Sequence, residues 1–249
     1  MRKKDIQYGI QHEIQNGLRD GVPIALGYFS VSFSFGIMAM SGGLSIVQAA
    51  LTSLTNMTSA GQFAGLQIII AGGTLLEMAA TQLIINLRYA LMSLSLSQKL
   101  SGSVTMWQRF VIAFANTDEI FAVAMSHNKE LTFPYMAGLQ ALPILGWTAG
   151  TACGAAAGSM LPAAVNSALS VALYGMFLAV VIPAAKKSRP VLFVVILAAC
   201  MSCLIYYLPL CAGISAGMSI ILCTVAAAAC LAVIATVQNL AYRGLVDMM

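Results

Sequence analysis

Four charged side chains stand inside apolar runs where a charge is costly: Glu77 and Arg88 in one run, Asp118 and Glu119 in the next. Residues eleven apart on a helix fall on nearly the same face, because three turns take about 10.8 residues. Glu77, Thr81 and Arg88 therefore read as one polar stripe, with Arg88 about 16 Å along the axis from Glu77. That depth is near the midplane of a ~30 Å hydrocarbon layer. A charge placed there marks a functional site facing the interior of a helix bundle. The runs holding Arg88 and the two acids are joined by a short polar connection, so they should lie antiparallel. Opposite charges attract strongly in a low-dielectric interior, and each is expensive alone. Arg88 is accordingly expected to pair with Asp118 or Glu119. The two acids point about 100° apart on a helix, so one can pair while the other faces a cavity, where it could carry a proton.

Gln62, Gln82, Asn86 and Asn116 add amide donors and acceptors at comparable depth. Together these groups could hold a zwitterion: a cation or a helix N-terminus for a carboxylate, an acid for an ammonium, and Phe63, Phe114 and Phe121 as apolar walls. The competing reading is an ion pair that only clasps helices together, as in a structural or sensory membrane subunit.

The elements that must position these groups follow from composition. The chain has 249 residues, 60% hydrophobic and 8% charged, against roughly 25% charged in soluble domains. With a mean hydropathy of +0.89, it reads as all-α: a polytopic transmembrane helix bundle of about eight hydrophobic segments. The apolar runs are about 20 residues long, not the ten-residue alternating strands of a β-barrel, which favours helices. The few basic residues lie at segment ends, which argues against a nucleic-acid partner. All six cysteines sit in apolar runs; Cys200-x-x-Cys203 lacks a second pair, so neither a metal site nor a disulfide framework is expected.

The chain is expected to form a single transmembrane domain over 1–249. Residues 1–21, with Ile6, Ile10, Ile14 and Leu18 at helical spacing, read as an interfacial N-terminal helix. Segment 1 covers 22–41. Segment 2, 45–71, is too long for one straight crossing and is expected to break near 58–62, where small and hydroxyl residues cluster. Such a break at membrane depth is how many transporters build a midplane site. Segment 3 carries Arg88. Segment 4, 110–126, is expected as a crossing that contains Asn116, Asp118 and Glu119 and ends at His127, read as an interfacial cap. Segment 5, 133–160, holds Gly146, Gly150, Gly154 and Gly158, a ladder for close helix packing within the chain or with another subunit. Segments 6, 7 and 8 cover 162–185, 191–210 and 214–237. With eight crossings, Arg2, Lys3, Lys4, Arg19, Lys129, Lys186, Lys187, Arg189 and Arg243 share one side and Lys99 and Arg109 the other, so both termini are expected to be cytoplasmic. A re-entrant segment 2 would move every later loop to the opposite side.

Four stretches resemble the large subunit of the AzlC/YgaZ-type branched-chain amino acid exporters. They are Gly21-Val-Pro-Ile-Ala-Leu-Gly-Tyr28 running on to Phe35-Gly36, Ser59-Ala-Gly-Gln-Phe-Ala64, Asn86-Leu-Arg-Tyr-Ala-Leu-Met-Ser-Leu-Ser-Leu96, and Thr117-Asp-Glu-x-Phe-Ala122. The likeness in order and spacing covers about residues 17–125. It departs at Met57-Thr-Ser-Ala, where an aromatic and more small residues are usual. The resemblance implies export of valine, leucine and isoleucine, with methionine a further candidate, from the bacterial cytoplasm across the inner membrane. It also implies proton-motive drive and a small hydrophobic AzlD/YgaH-type partner subunit. The candidate substrate- and proton-binding set is then Ser59, Gly61, Gln62, Glu77, Gln82, Asn86, Arg88, Asn116, Asp118 and Glu119, with no cofactor. An enzyme is not expected: His-Glu-x-x-His and Gly-x-Ser-x-Gly are both absent, as is the phosphate-binding Gly-x-x-x-x-Gly-Lys-Ser/Thr.

Overall fold

A 39-residue helix, α1 (Lys3–Ser41), begins the chain. The computed structural model describes residues 3–158, 178, 181–183, 185–211 and 213–246. The further helices are α2 (Ile46–Thr55), α3 (Ser59–Ile70), α4 (Leu75–Lys99), α5 (Met106–Phe114), α6 (Asp118–Ser126), α7 (Phe133–Gly158), α8 (Arg189–Tyr207) and α9 (Ala216–Val246). Among the described residues the fold is all-α, apart from a single bridge between Leu100 and Leu131. Most of the expected segment 6 lies outside the described residues. Two helices, Gln7–Ser41 and Arg189–Tyr207, are by length and composition sufficient to cross a bilayer. The chain divides into two compact units: Met1–Leu66 with Asn86–Leu173, and Gln67–Ile85 with Tyr174–Met249.

The first unit is built on α1 and α7, which run parallel with their backbones nearly touching. A Cβ on Gly146 would meet the Ala25 carbonyl oxygen at 2.5 Å, one on Gly150 the Phe29 oxygen at 2.4 Å, and one on Gly154 the Phe33 oxygen at 2.0 Å. Partners advance four at a time along both helices, so the glycine ladder is a packing device within the chain. The ladder also runs back before Val22: Gly17 and Gly21 press on the carbonyls of Tyr135 and Leu139. This continuity explains why residues 3–21 are not a separate helix. The same close contact carries α1 across Val22 and past Pro23 without a break. At the start of the pair, the Thr132 hydroxyl donates to Glu13 and the Tyr135 hydroxyl to Asp20 (2.8 Å).

The other elements of this unit form two hairpins. In the first, a capping box of Ser45 and Gln48 opens α2, the helix ends at Asn56, and α3 starts again at Ser59. The break expected at 58–62 thus falls at 56–58. The Gln62 amide donates to the Ser53 hydroxyl at 2.8 Å. Nine residues of unbroken helix span about 13.5 Å, too far for those two side chains to meet, so the chain doubles back.

The second hairpin overturns the reading of segment 4 as a crossing. A capping box of Thr105 and Gln108 opens α5, Ala115–Thr117 break the helix, and α6 begins at Asp118. Both ends return to the C-terminal end of α4. The Lys99 ammonium donates to the carbonyls of Met125 and His127 at 2.6 and 2.5 Å, the Leu131 amide to Lys99 O at 2.9 Å, and Arg109 to Ser97 O at 3.4 Å. Each nine-residue helix is about 13–14 Å long, half of a ~30 Å hydrocarbon layer. Asn, Thr and Asp side chains at the break compete with the helical backbone for its hydrogen bonds, which favours ending one helix and starting another there. As a consequence Lys99 and Arg109 lie at the same end of the unit as Arg19 and Lys129, not opposite them.

In the second unit, Glu77 Oε1 accepts from the Ser215 hydroxyl (2.5 Å) and the Gly217 amide (2.9 Å), capping the first turn of α9. Helix α8 has no buried side chain.

Candidate functional site

The tip of the second hairpin carries the charges. Asp118 and Glu119 are the first two residues of α6, where unsatisfied backbone amides and the helix dipole favour negative charge. Arg88 Nη1 lies 2.6 Å from Asp118 Oδ2. Its guanidinium also stacks 4.9 Å above the Tyr89 ring and donates to the Tyr89 hydroxyl at 3.1 Å. Of the two acids left open by the sequence, Asp118 is the partner. The side chains of Arg88 and Asp118 are 48% and 46% exposed, so the pair is not closed off by the rest of the chain.

Glu119 is held from α1. The Tyr28 hydroxyl lies 2.5 Å from Glu119 Oε2 and 2.5 Å from Thr117 Oγ1. A phenol has one proton. With Tyr28 donating it to the carboxylate, the Thr117 hydroxyl donates to the phenol oxygen. That bond accounts for Thr117 making no side-chain cap at the N-terminus of α6.

The first hairpin tip is neutral and closed. Trp147 Nε1 donates to Gln62 Oε1 at 3.0 Å, Gln62 donates to Ser53, the Ser53 and Thr151 hydroxyls meet at 2.6 Å, and Thr151 donates to Ser32 O at 3.3 Å. With those ends fixed, Ser53 must be the donor to Thr151. The Trp147 ring meets Tyr28 edge-on with centroids 5.2 Å apart, so one aromatic pair braces both hairpin tips.

Smaller bonds tie the tips to α4. The Thr58 hydroxyl accepts from the Gly61 amide at 3.1 Å, capping α3, and donates to Asn86 Oδ1 at 2.8 Å. Asn116 donates to Ser93 at 3.1 Å, and its buried Oδ1 has no partner; nor has the buried Ser59 hydroxyl oxygen.

Of the ten residues proposed from sequence, Ser59, Gly61, Gln62, Asn86, Arg88, Asn116, Asp118 and Glu119 belong to the first unit, around the two tips. Glu77 and Gln82 belong to the second unit. There Glu77 caps α9, and Gln82 makes a long contact of 3.9 Å to the Met78 sulfur. Phe63 is buried against Phe35, but Phe114 faces outward beside the exposed Trp107 and Phe110, so it is no wall of this site. His127 takes the C-cap position of α6, its backbone N–H donating to Ala124 O. Sequence reasoning missed Tyr28, Trp147, Thr117 and Ser53. Trp147 follows Gly146, whose position against Ala25 is one rung of the glycine ladder, the signal that marks it; Tyr28 follows Gly27, which meets nothing within 4 Å, and carries no such mark.

Comparison with known proteins places this arrangement. The family model described as AzlC protein matches residues 23–161, the stretch that holds both hairpins and α7. An uncharacterized membrane protein of Archaeoglobus fulgidus is 35% identical over 176 residues, 69% of this chain and 76% of that one. The inner membrane protein YgaZ of Escherichia coli is 28% identical over 180 residues, 70% of this chain and 74% of its own length. An uncharacterized membrane protein of Helicobacter pylori is 28% identical over 116 residues, 45% of this chain and 50% of that one. No solved structure matches.

Proposed function

The chain belongs to the AzlC family of membrane proteins, and from that premise we propose that it is the large subunit of a secondary transporter exporting branched-chain amino acids. The substrates are valine, leucine and isoleucine, with methionine a further candidate. Drive comes from the proton motive force, and a small hydrophobic membrane subunit completes the transporter in the bacterial inner membrane. The observation that carries this reading is the half-exposed Arg88–Asp118 pair at a hairpin tip about halfway along the first unit. A pair held only as a clasp gains from being closed off; this one leaves a guanidinium for a substrate carboxylate and an acid for its ammonium. Glu119, bonded by a neutral phenol rather than a cation, is the group left to take up and release a proton.

In this reading the eight apolar segments serve as six crossings and two half-depth hairpins. Counted along the sequence, every Lys and Arg except Arg88 then falls on the side of the termini, which the positive-inside rule makes cytoplasmic. The test is efflux of labelled valine, leucine or isoleucine from proteoliposomes holding both subunits. Arg88→Ala and Asp118→Asn should each abolish it. Unchanged flux in both variants refutes the site. Recovery of full flux on exchanging the two charges, Arg88→Asp with Asp118→Arg, favours a structural or sensory subunit with a clasp instead.

A further inference from the structure

A cavity of about 620 Å³ opens at the base of the second hairpin, within the size range of small-molecule sites. Its walls are Arg19, Asp20 and Pro23 of α1, Val123 of α6, and His127 and Lys129 beyond it. We propose that this cavity is the cytoplasmic antechamber of the transport path, taking a free zwitterionic amino acid with an aliphatic side chain, and that the Tyr28–Glu119 hydrogen bond is the gate at its inner end. The proposal rests on the exporter reading above.

The lining matches such a ligand in chemistry. Arg19 and Lys129 offer cations to a carboxylate, and Asp20 offers an anion to an ammonium. Asp20 is held in place by the Tyr135 hydroxyl at 2.8 Å, and the Tyr135 ring packs 4.5 Å from His127. Pro23 and Val123 add apolar wall. Val123 is four residues after Glu119 on α6 and therefore lies one turn below it on the same face. Pro23 lies just over one turn before Tyr28 on α1. The path upward from the cavity thus meets the bond between Tyr28 and Glu119 next. A substrate ammonium is a stronger partner for a carboxylate than a neutral phenol, so its arrival exchanges one bond for another and frees Tyr28. Beyond that bond lie Thr117 and the Arg88–Asp118 pair. The four cations at this end, Arg19, Lys99, Arg109 and Lys129, make it the cytoplasmic end.

The experiment uses the chain with its partner subunit in intact cells and in inside-out membrane vesicles. A membrane-impermeant maleimide is the probe, and mass spectrometry of the labelled peptide is the readout. Val123→Cys should label in inside-out vesicles and not in intact cells, and valine should slow it severalfold. Ala115→Cys, a buried position at the break between α5 and α6, should label slowly. Adding Tyr28→Phe, which keeps the ring against Trp147 and removes the donor, should speed that labelling on the order of tenfold. Labelling of Val123→Cys from outside, or an unchanged rate at Ala115→Cys, overturns the proposal. Valine efflux from the same vesicles separates the two readings. Intact efflux with no cytoplasmic labelling removes the antechamber and leaves the exporter. Labelling slowed by another solute but by none of valine, leucine and isoleucine keeps the gate and removes the branched-chain substrate.

Discussion

The two hairpins of the first unit open with the same device. Ser45 accepts from the Gln48 amide while Gln48 accepts from Ser45 N at 2.8 Å, and Thr105 and Gln108 repeat the exchange at 2.9 Å. Each first helix runs about ten residues to a short break, at 56–58 or 115–117, and each second helix starts after a threonine. A Phe-Ala pair follows in both, at 63–64 and 121–122. What differs is the load at the tip. The first carries an amide and hydroxyls, and Gln62 is 1% exposed with every link of its chain bonded. The second carries two carboxylates against one guanidinium, and that pair is about half exposed. One frame therefore supports two different tips: a fixed one that ties to α7, and an open one with an acid in excess of its cation.

The largest break in that comparison should come from the neutral tip. Gln62→Leu keeps the bulk but strips Trp147 of its acceptor and Ser53 of its donor, both in a dry interior. Each buried polar group left unsatisfied costs about 1–3 kcal/mol, so the two together should cost about 2–6 kcal/mol of stability. Thermal unfolding of the detergent-solubilised protein, followed by size-exclusion fluorescence, measures it. A shift no larger than that of a surface substitution would mean the network is not holding the tip.

The charged tip should respond the other way round. Asp118→Asn removes half of a pair that solvent already reaches, and exposed pairs are worth about 0–1 kcal/mol. The same unfolding assay should move little, while efflux is lost. Loss of stability equal to that of Gln62→Leu would erase the distinction between the tips and return the pair to a clasp.

Parts of this division were legible in the sequence, for physical reasons. Arg88, Asp118 and Glu119 stood out because an unpaired charge in an apolar run is too costly to be incidental, and that cost predicts a partner. The helical class followed from the apolar runs. The fold-back of segment 4 was hidden because average hydropathy does not register direction: two nine-residue helices that go in and come back have the same composition as one crossing. The punctuation was present in Thr105-x-x-Gln108 and Ser45-x-x-Gln48, since a capping box announces a helix start. The partners of Glu77 were hidden for a related reason. Sharing a face with Arg88 says nothing about which neighbour a side chain meets eleven residues away, and here the helix start of α9 supplies its donors. Tyr28 and Trp147 lie outside the polar stripe altogether; the α1–α7 glycine contacts bring them together, and those depend on the packed structure.

The smallest effect tests whether the two helix starts are equivalent. Exchanging the caps, Ser45→Thr with Thr105→Ser, preserves a hydroxyl acceptor at each start and alters one methyl group. Serine and threonine differ as caps by only a few tenths of a kcal/mol, while loss of either cap costs about 1 kcal/mol. The double exchange should therefore leave both unfolding temperature and efflux nearly unchanged. If instead Thr105→Ser alone slows efflux while Ser45→Thr does not, the entry to the second hairpin moves during transport and the entry to the first does not. The asymmetry between the hairpins would then extend from the tips, where charge creates it, down to the bases, where the sequence is most alike.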